Sequence, residues 1–294
     1  AYMGSVLSLK TDVLANENFL RTAKNRNNVQ KLLELVGVKM KGPLSATANA
    51  SITFPTSPLG SDSSFTVPAA NRTYTVTSPD DSASVNYTLY KVNNGILEDL
   101  TADSSLVLLA SESVGAGELI WNNLIIQEGS YVKEDGVFTT GDSIKTIVLS
   151  ESPVIDGSVE VYIDSDVVGV GGAYTQVDSV FFASGGSDKV FEVSYDDDFT
   201  ATVVFGDDTL GVSPDINSTY NVSYRVGGGA RGNLSTGSLN VTTGILGNSG
   251  SEVAGVITNT GLATGGSEPE SIEHAKKYGP LTFRRQDRVV TLED

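Results

Sequence analysis

The chain has 294 residues, with 19 Lys and Arg against 36 Asp and Glu, no cysteine and a formal net charge of −17. A field of that sign repels phosphate backbones and anionic membrane surfaces, which argues against nucleic-acid or membrane partners. The lack of cysteine removes disulfides, thiolate metal sites and thiol nucleophiles together. Charged residues make up only 19%, and Gly, Ser, Thr and Asn crowd the remainder, the make-up of a turn-rich β protein rather than of a helical bundle. Charge is uneven along the chain: residues 1–41 carry 7 basic and 3 acidic side chains, 42–274 carry 7 and 30, and 275–294 carry 5 and 3. Basic ends thus flank an acidic middle, either as plain solvated faces or as complementary surfaces between copies. The longest apolar stretches, such as Leu106 to Ala110, fall far short of the roughly 18 residues of a membrane-spanning helix. Ala1 precedes an internal Met3, and the opening residues lack a basic-then-apolar leader pattern, which points to a processed chain or a piece of a longer one.

Helix is expected over residues 12–36. Val29, Leu32, Leu33 and Val36 form an i, i+3, i+4, i+7 stripe with Gly37 placed to end it; Phe19, Leu20 and Ala23 form a shorter stripe upstream. The polar run Lys24 to Asn28 reads either as an exposed face or as a break between two helices. From Ala46 the period becomes two, through Ala48, Ala50, Ile52 and Phe54. Similar runs at Tyr74–Thr77, Val85–Val92, Leu119–Ile126, Val159–Ile163, Val190–Tyr195, Ala201–Phe205, Tyr220–Val226 and Leu239–Val241 alternate with turn residues and predict further strands. A loop is expected over Gly129–Gly141. Near the end, Ser267 and Glu270 have the spacing of a capping box, acidic residues lead a helix, and Gly279-Pro280 is expected to stop it. A second capping pattern over Thr291–Asp294 predicts a helix continuing past the last residue.

Candidate chemistry is sparse. Gly227, Gly228, Gly229 and Gly232 satisfy G-x-G-x-x-G, yet Asn233 to Thr243 alternate like a strand instead of opening the helix that a dinucleotide loop requires, so the run reads as a strand connection. His274 is the only histidine and has no G-x-S-x-G partner, so a solvated helix position is expected. The acidic groups Asp196-Asp197-Asp198, Asp164 with Asp166, and Asp207-Asp208 lack the spacing of a calcium loop and read as hairpin turns. Seven N-x-S/T sequons, from Asn49 to Asn240, follow from the abundance of those residue types.

Three stretches, read together, resemble the baseplate J-like family, the wedge proteins of contractile phage tails and related injection machines. Phe205-Gly206-Asp207-Asp208-Thr209-Leu210-Gly211 followed by Pro214 is similar to its F-G-D-G turn, with Asp208 in place of the second glycine. Tyr224 to Asn233 resembles its Y-R-x-G-G-G-x-x-G-N stretch, and Gly265-Gly266 through Glu268, Glu270 and Ser271 to Arg288-Val289-Val290-Thr291 resembles its ending. The resemblance implies a structural protein without catalysis or cofactor. Its implied place is the virion tail baseplate, assembled in the host cytoplasm with other copies of itself and with wedge, hub and sheath-proximal proteins. Gly206, Asp207, Gly211, Gly227, Gly228, Gly229, Gly232 and Asn233 are then structural turns. Phe19, Leu20, Leu32, Leu33, Val36, Arg284, Arg285 and Arg288 are candidate interface residues, the arginines because their forks pair with carboxylates.

The expected fold is mainly β (α+β), with antiparallel β domains, an N-terminal helical segment and a short C-terminal helix. Its expected divisions are a helical arm at 1–41, β-rich domains at 42–135 and 136–264, and a C-terminal segment at 265–294. A secreted β-rich adhesin or carbohydrate-binding module would suit the same composition, and an enzyme would need a carboxylate pair or metal site among the acids.

Overall fold

The computed structural model describes residues 15–35, 37–54, 62–77, 83–98, 104–115, 118–164 and 172–285. The protein is mainly β, with two sheets of largely antiparallel strands and helical segments toward both ends.

The larger sheet runs β3(Thr73–Thr77), β4(Ser84–Asn93), β7(Ile120–Glu128), β1(Thr47–Thr53), β16(Glu252–Asn259), β15(Asn240–Gly247), β2(Ser64–Val67), β6(Leu106–Leu109), with β5(Ile96–Glu98) added beside β4. Strand β1 is central: Ala50 pairs with Leu124 of β7 on one side and with Asn259 of β16 on the other. Its inward positions Ala48, Ala50 and Ile52 are buried, as the period of two requires. Phe54, Phe65 and Trp121 meet at the core with ring centroids 5.3 to 5.6 Å apart, and the indole N–H of Trp121 donates to the Leu109 carbonyl at 2.9 Å.

The second sheet runs β8(Ser130–Val137), β14(Thr219–Val226), β10(Glu160–Ile163), β11(Ala173–Gln176), β12(Val190–Tyr195), β13(Ala201–Phe205), β9(Thr146–Val148), and β11 with β12 is its parallel pair. Edge-to-face contacts of Phe205 with Phe138 and Tyr174 fill its core. Residues 130–137 are therefore a strand and not the expected loop. Their side chains are half-buried or exposed, so no apolar alternation marks them. Gly136 is required there because a methyl group would overlap the Tyr220 ring and hydroxyl.

Helix α1(Arg26–Glu34) begins after a break, which settles the polar run Lys24–Asn28 as a junction: the Asn25 side chain accepts from the Asn28 amide at 3.2 Å, an N-cap. Gly37, at φ +73°, ends it with the paired bonds Gly37 N–H to Glu34 and Val38 N–H to Leu33 of a Schellman motif. Helix α2(Ile272–Arg285) departs from expectation at both ends. Ser267 does not cap it, since Ser267 is bridged to Leu44 in extended backbone; Ser271 caps it instead, accepting from the His274 amide. Gly279-Pro280 does not stop it either. Proline costs the helix one backbone bond, but Gly279 lies where the Leu33 side chain of α1 leaves no room for a Cβ, so glycine here serves helix packing.

Contacts divide the chain into two compact units that are discontinuous in sequence. One joins Pro43–Val132 to Ser223–Glu268; the other joins Ala1–Gly42, Lys133–Val222 and Pro269–Asp294. The break at 222/223 arises because β15 and β16 pair with β1 and β2.

Candidate functional site

In the unit built on the larger sheet, β14 ends at Arg225-Val226 and the chain turns through three glycines with φ of +135°, +90° and +114°. Residues other than glycine rarely adopt these angles. The turn closes around Glu128, the last residue of β7 and only 3% exposed. Its carboxylate accepts from the Gly228 amide at 3.2 Å and from the Ala46 amide at 3.0 Å. The guanidinium of Arg225 donates to the Gln127 carbonyl at 2.8 Å and also to the Glu128 carbonyl. Gly232 has no space for a Cβ beside the same carboxylate, and its carbonyl accepts from the Tyr87 hydroxyl. Next door, Glu268 accepts from the Ala230 amide at 3.1 Å, and Asn233 exchanges two bonds with Gly266 at 2.8 and 3.1 Å. The turn residues Gly227, Gly228, Gly229, Gly232 and Asn233 thus form one corner.

Of the amides that a nucleotide loop would aim at phosphate, those of Gly228 and Ala230 are bonded to the chain's own carboxylates and that of Gly229 to the Leu44 carbonyl. Burial pushes Glu128 above the ordinary glutamate value; the amides of Ala46 and Gly228 and the charge of Arg225 pull it back. No signal in the sequence ties Glu128 to the glycines a hundred residues away.

A second corner lies in the other unit. Asp207 accepts from the Thr209 and Leu210 amides at 2.9 Å each, and these bonds hold its carboxyl below the usual aspartate value. Asp208 takes φ +67°, the left-handed conformation that glycine would adopt freely, and its side chain accepts from the Ser213 amide at 2.8 Å. The departure from F-G-D-G therefore keeps a left-handed turn. Gly206 faces the carbonyl of Gly211 with no room for a methyl, and Gly211 itself has φ +78°.

The helical ends belong to that same unit. Leu33 is fully buried with Val29, Met40 and Ala275, and Leu20 and Leu32 pack partly against that cluster. Leu33 therefore serves the chain's own core and is not exposed to a partner. Phe19 is 67% exposed. Val36 and Arg288 lie outside the described residues, as do the side chains of Arg284 and Arg285. Arg26, counted with the basic end, is buried: its guanidinium donates to the Glu270 carbonyl at 2.8 Å and stacks 4.5 Å over the Phe199 ring. Gln30 donates to the Val193 carbonyl and accepts from the Tyr195 amide, covering backbone groups of β12 beyond its short pairing with β11.

His274 is exposed, with Nδ1 2.7 Å from the Glu270 carboxylate and its ring 4.3 Å from Tyr278. Asp196 accepts from the Asp198 and Thr200 amides, and Asp164 from Thr219 N–H and Ser218 O–H, so these acids close turns; Asp166 lies outside the described residues. No group of three or more metal-ligating side chains stands together among the described residues.

Glu34, on α1, is buried and accepts from Gln30 at 2.9 Å. Burial, the largest cause, raises it above 4.5, the Gln30 bond opposes this, and the Glu192 carboxylate adds to the rise. A carboxyl whose value is raised by folding contributes stability below its unfolded value and loses it as pH climbs through the folded one. Glu34→Gln, which stays neutral, is therefore expected to melt with the parent near pH ~4 and above it beyond pH ~6. Parallel thermal melts across that range check this, and a parent that gains on the variant with rising pH contradicts it.

No protein-family model matches the chain, and the curated proteins searched contain no significant match.

Proposed function

We propose that this chain is a structural subunit of the wedge or inner ring of a phage-type contractile tail baseplate. It holds the ring together with other copies and with neighbouring wedge, hub and sheath-proximal proteins, and it passes conformational change outward to the sheath. It works without catalysis or cofactor. The observation that carries this reading is the carboxylate-filled glycine corner. The one run suggestive of nucleotide chemistry is spent on Glu128 and Glu268, which supports the role of a rigid joint that the resemblance implies for Tyr224–Asn233. Large apolar side chains exposed on the unit that bears the helices, Leu35, Phe181 and Phe182 at 76%, 66% and 65%, fit a protein that lives among neighbours. No helix of the described residues is long and apolar enough to cross a membrane.

Gold-labelled antibody against the chain, viewed on purified tails by electron microscopy, tests the assignment. Label in a ring at the distal end of the tube is expected. Label at the head or collar, or glycan binding by an isolated chain that no tail protein accompanies, overturns it.

A further inference from the structure

Along α1, and within the unit that contains it, lies a groove of about 620 Å³ between the helix and the strands β9, β12 and β13. Leu35, Phe181 and Ile144 line it and are all exposed, and apolar side chains gathered in one place mark an interaction surface. Its charge is predominantly acidic, with Glu34, Glu192 and Asp207 against Lys31. A fitting occupant therefore carries an apolar anchor next to cations. The same unit displays such a feature just ahead of α1. Phe19 is 67% exposed, and Arg21 and Lys24 in the same turn are exposed as well. Hydrogen bonds order this turn: the Phe19 carbonyl accepts from the Thr22 and Ala23 amides at 3.0 and 2.9 Å, and the Thr22 hydroxyl donates to the Asn16 carbonyl at 2.6 Å. Glu17 accepts from the Lys24 and Asn25 amides, so its charge is spent on the turn itself. An anchor ordered in advance loses little freedom on binding.

We infer that the groove receives the Phe19 turn of a second copy of the chain, the phenyl ring seating against Leu35 and Phe181 while Arg21 and Lys24 meet Glu192 and Asp207. This deepens the subunit role proposed above, on which it rests for the premise that copies assemble, by naming the contact between them. Turn and groove are different surfaces, so the contact is heterologous: each copy gives its turn to one neighbour and its groove to another. A copy joined on one side keeps a free turn or a free groove for the next, and such contacts close into rings or run on as open chains. Charge works against the competing arrangement, because a groove-to-groove pair would set acids against acids.

Phe19→Ser removes the anchor and leaves the groove intact; Leu35→Lys sets a cation in the groove and leaves the turn intact. Both positions are exposed, so each variant is expected to fold, which circular dichroism checks; Arg21→Glu and Phe181→Lys are second variants of turn and groove that are expected to act likewise. Sedimentation velocity on the full chain is expected to show species larger than the dimer as concentration rises to about 200 μM, and each variant alone to associate about tenfold or more weakly. An equimolar mixture of Phe19→Ser and Leu35→Lys is expected to regain the parent's affinity yet stop at the pair, because one intact turn and one intact groove remain between them. A parent that stays monomeric to that concentration gives the groove to a different protein and overturns the inference. Variants that associate like the parent, or a mixture as weak as its components, overturn it too. Antibody label in a distal ring together with a monomeric parent refutes this contact alone; self-association by turn and groove with label at the head or collar refutes the baseplate assignment and keeps the contact.

Discussion

Glu128→Ala is expected to destabilise the protein by about 3 kcal/mol or more, because truncation of a buried acceptor leaves its donors stranded in low dielectric. The amides of Ala46 and Gly228 lose their partner, and Arg225 loses a neighbouring charge that favours its cationic form. Glu128→Gln is expected to fall between, since the carboxamide keeps one acceptor oxygen and turns an N–H toward the second amide. Urea unfolding followed by tryptophan fluorescence reads this directly, because the single tryptophan, Trp121, lies on the same strand. A loss below about 1 kcal/mol for the alanine variant would show that the corner is held by its glycines alone.

Gly206→Ala is the second large effect. A methyl at this position would overlap the backbone carbonyl of Gly211 and that of Leu210, and backbone cannot rotate aside as a side chain can. A cost of about 3 kcal/mol is expected, at the severe end of single substitutions. Gly185→Ala supplies the contrast. A Cβ there meets nothing within 4 Å, and its backbone is not left-handed, so alanine is expected to be neutral or to stabilise by a few tenths of a kcal/mol through the unfolded chain. Its neighbour Gly186, whose Cβ would strike the Asp208 carbonyl, follows Gly206 instead. Thermal melts of the three variants separate the cases; similar losses for Gly185 and Gly186 would refute the close-approach argument.

The strands that alternate with large apolar residues, such as β1, β12 and β13, are legible in sequence because each buries one face. Strand β16 is not, and the reason lies in its inward residues. Positions 255, 257 and 259 face the core, yet they are Gly, Ile and Asn. Gly255 is needed because a Cβ would come within 2.7 Å of Ile245 and 3.1 Å of Phe54. Asn259, fully buried, donates to the Ser235 and Gly261 carbonyls and accepts from the Leu239 amide. A hydropathy pattern sees neither a void-free contact nor a satisfied amide. The helix start differs from expectation for a similar reason: Ser267 and Glu270 have capping spacing, but Glu270 accepts from the Lys41 amide, a partner 229 positions away. Of the turn residues, the glycines announced their corners, while the carboxylate they enclose could be identified only in three dimensions.

The placement of β1 bears on how the chain is made. Ala50 pairs with Leu124, 74 positions on, and with Asn259, 209 positions on, so its second neighbour emerges from the ribosome 135 residues after the first. Through that interval the nascent polypeptide presents an unpaired central strand, the kind of edge that templates misassociation. Adjacent ribosomes on one message hold such half-built sheets side by side, each lacking the same β15–β16 hairpin. Fidelity during production therefore depends on each chain's own β15–β16 hairpin arriving before a neighbour's does.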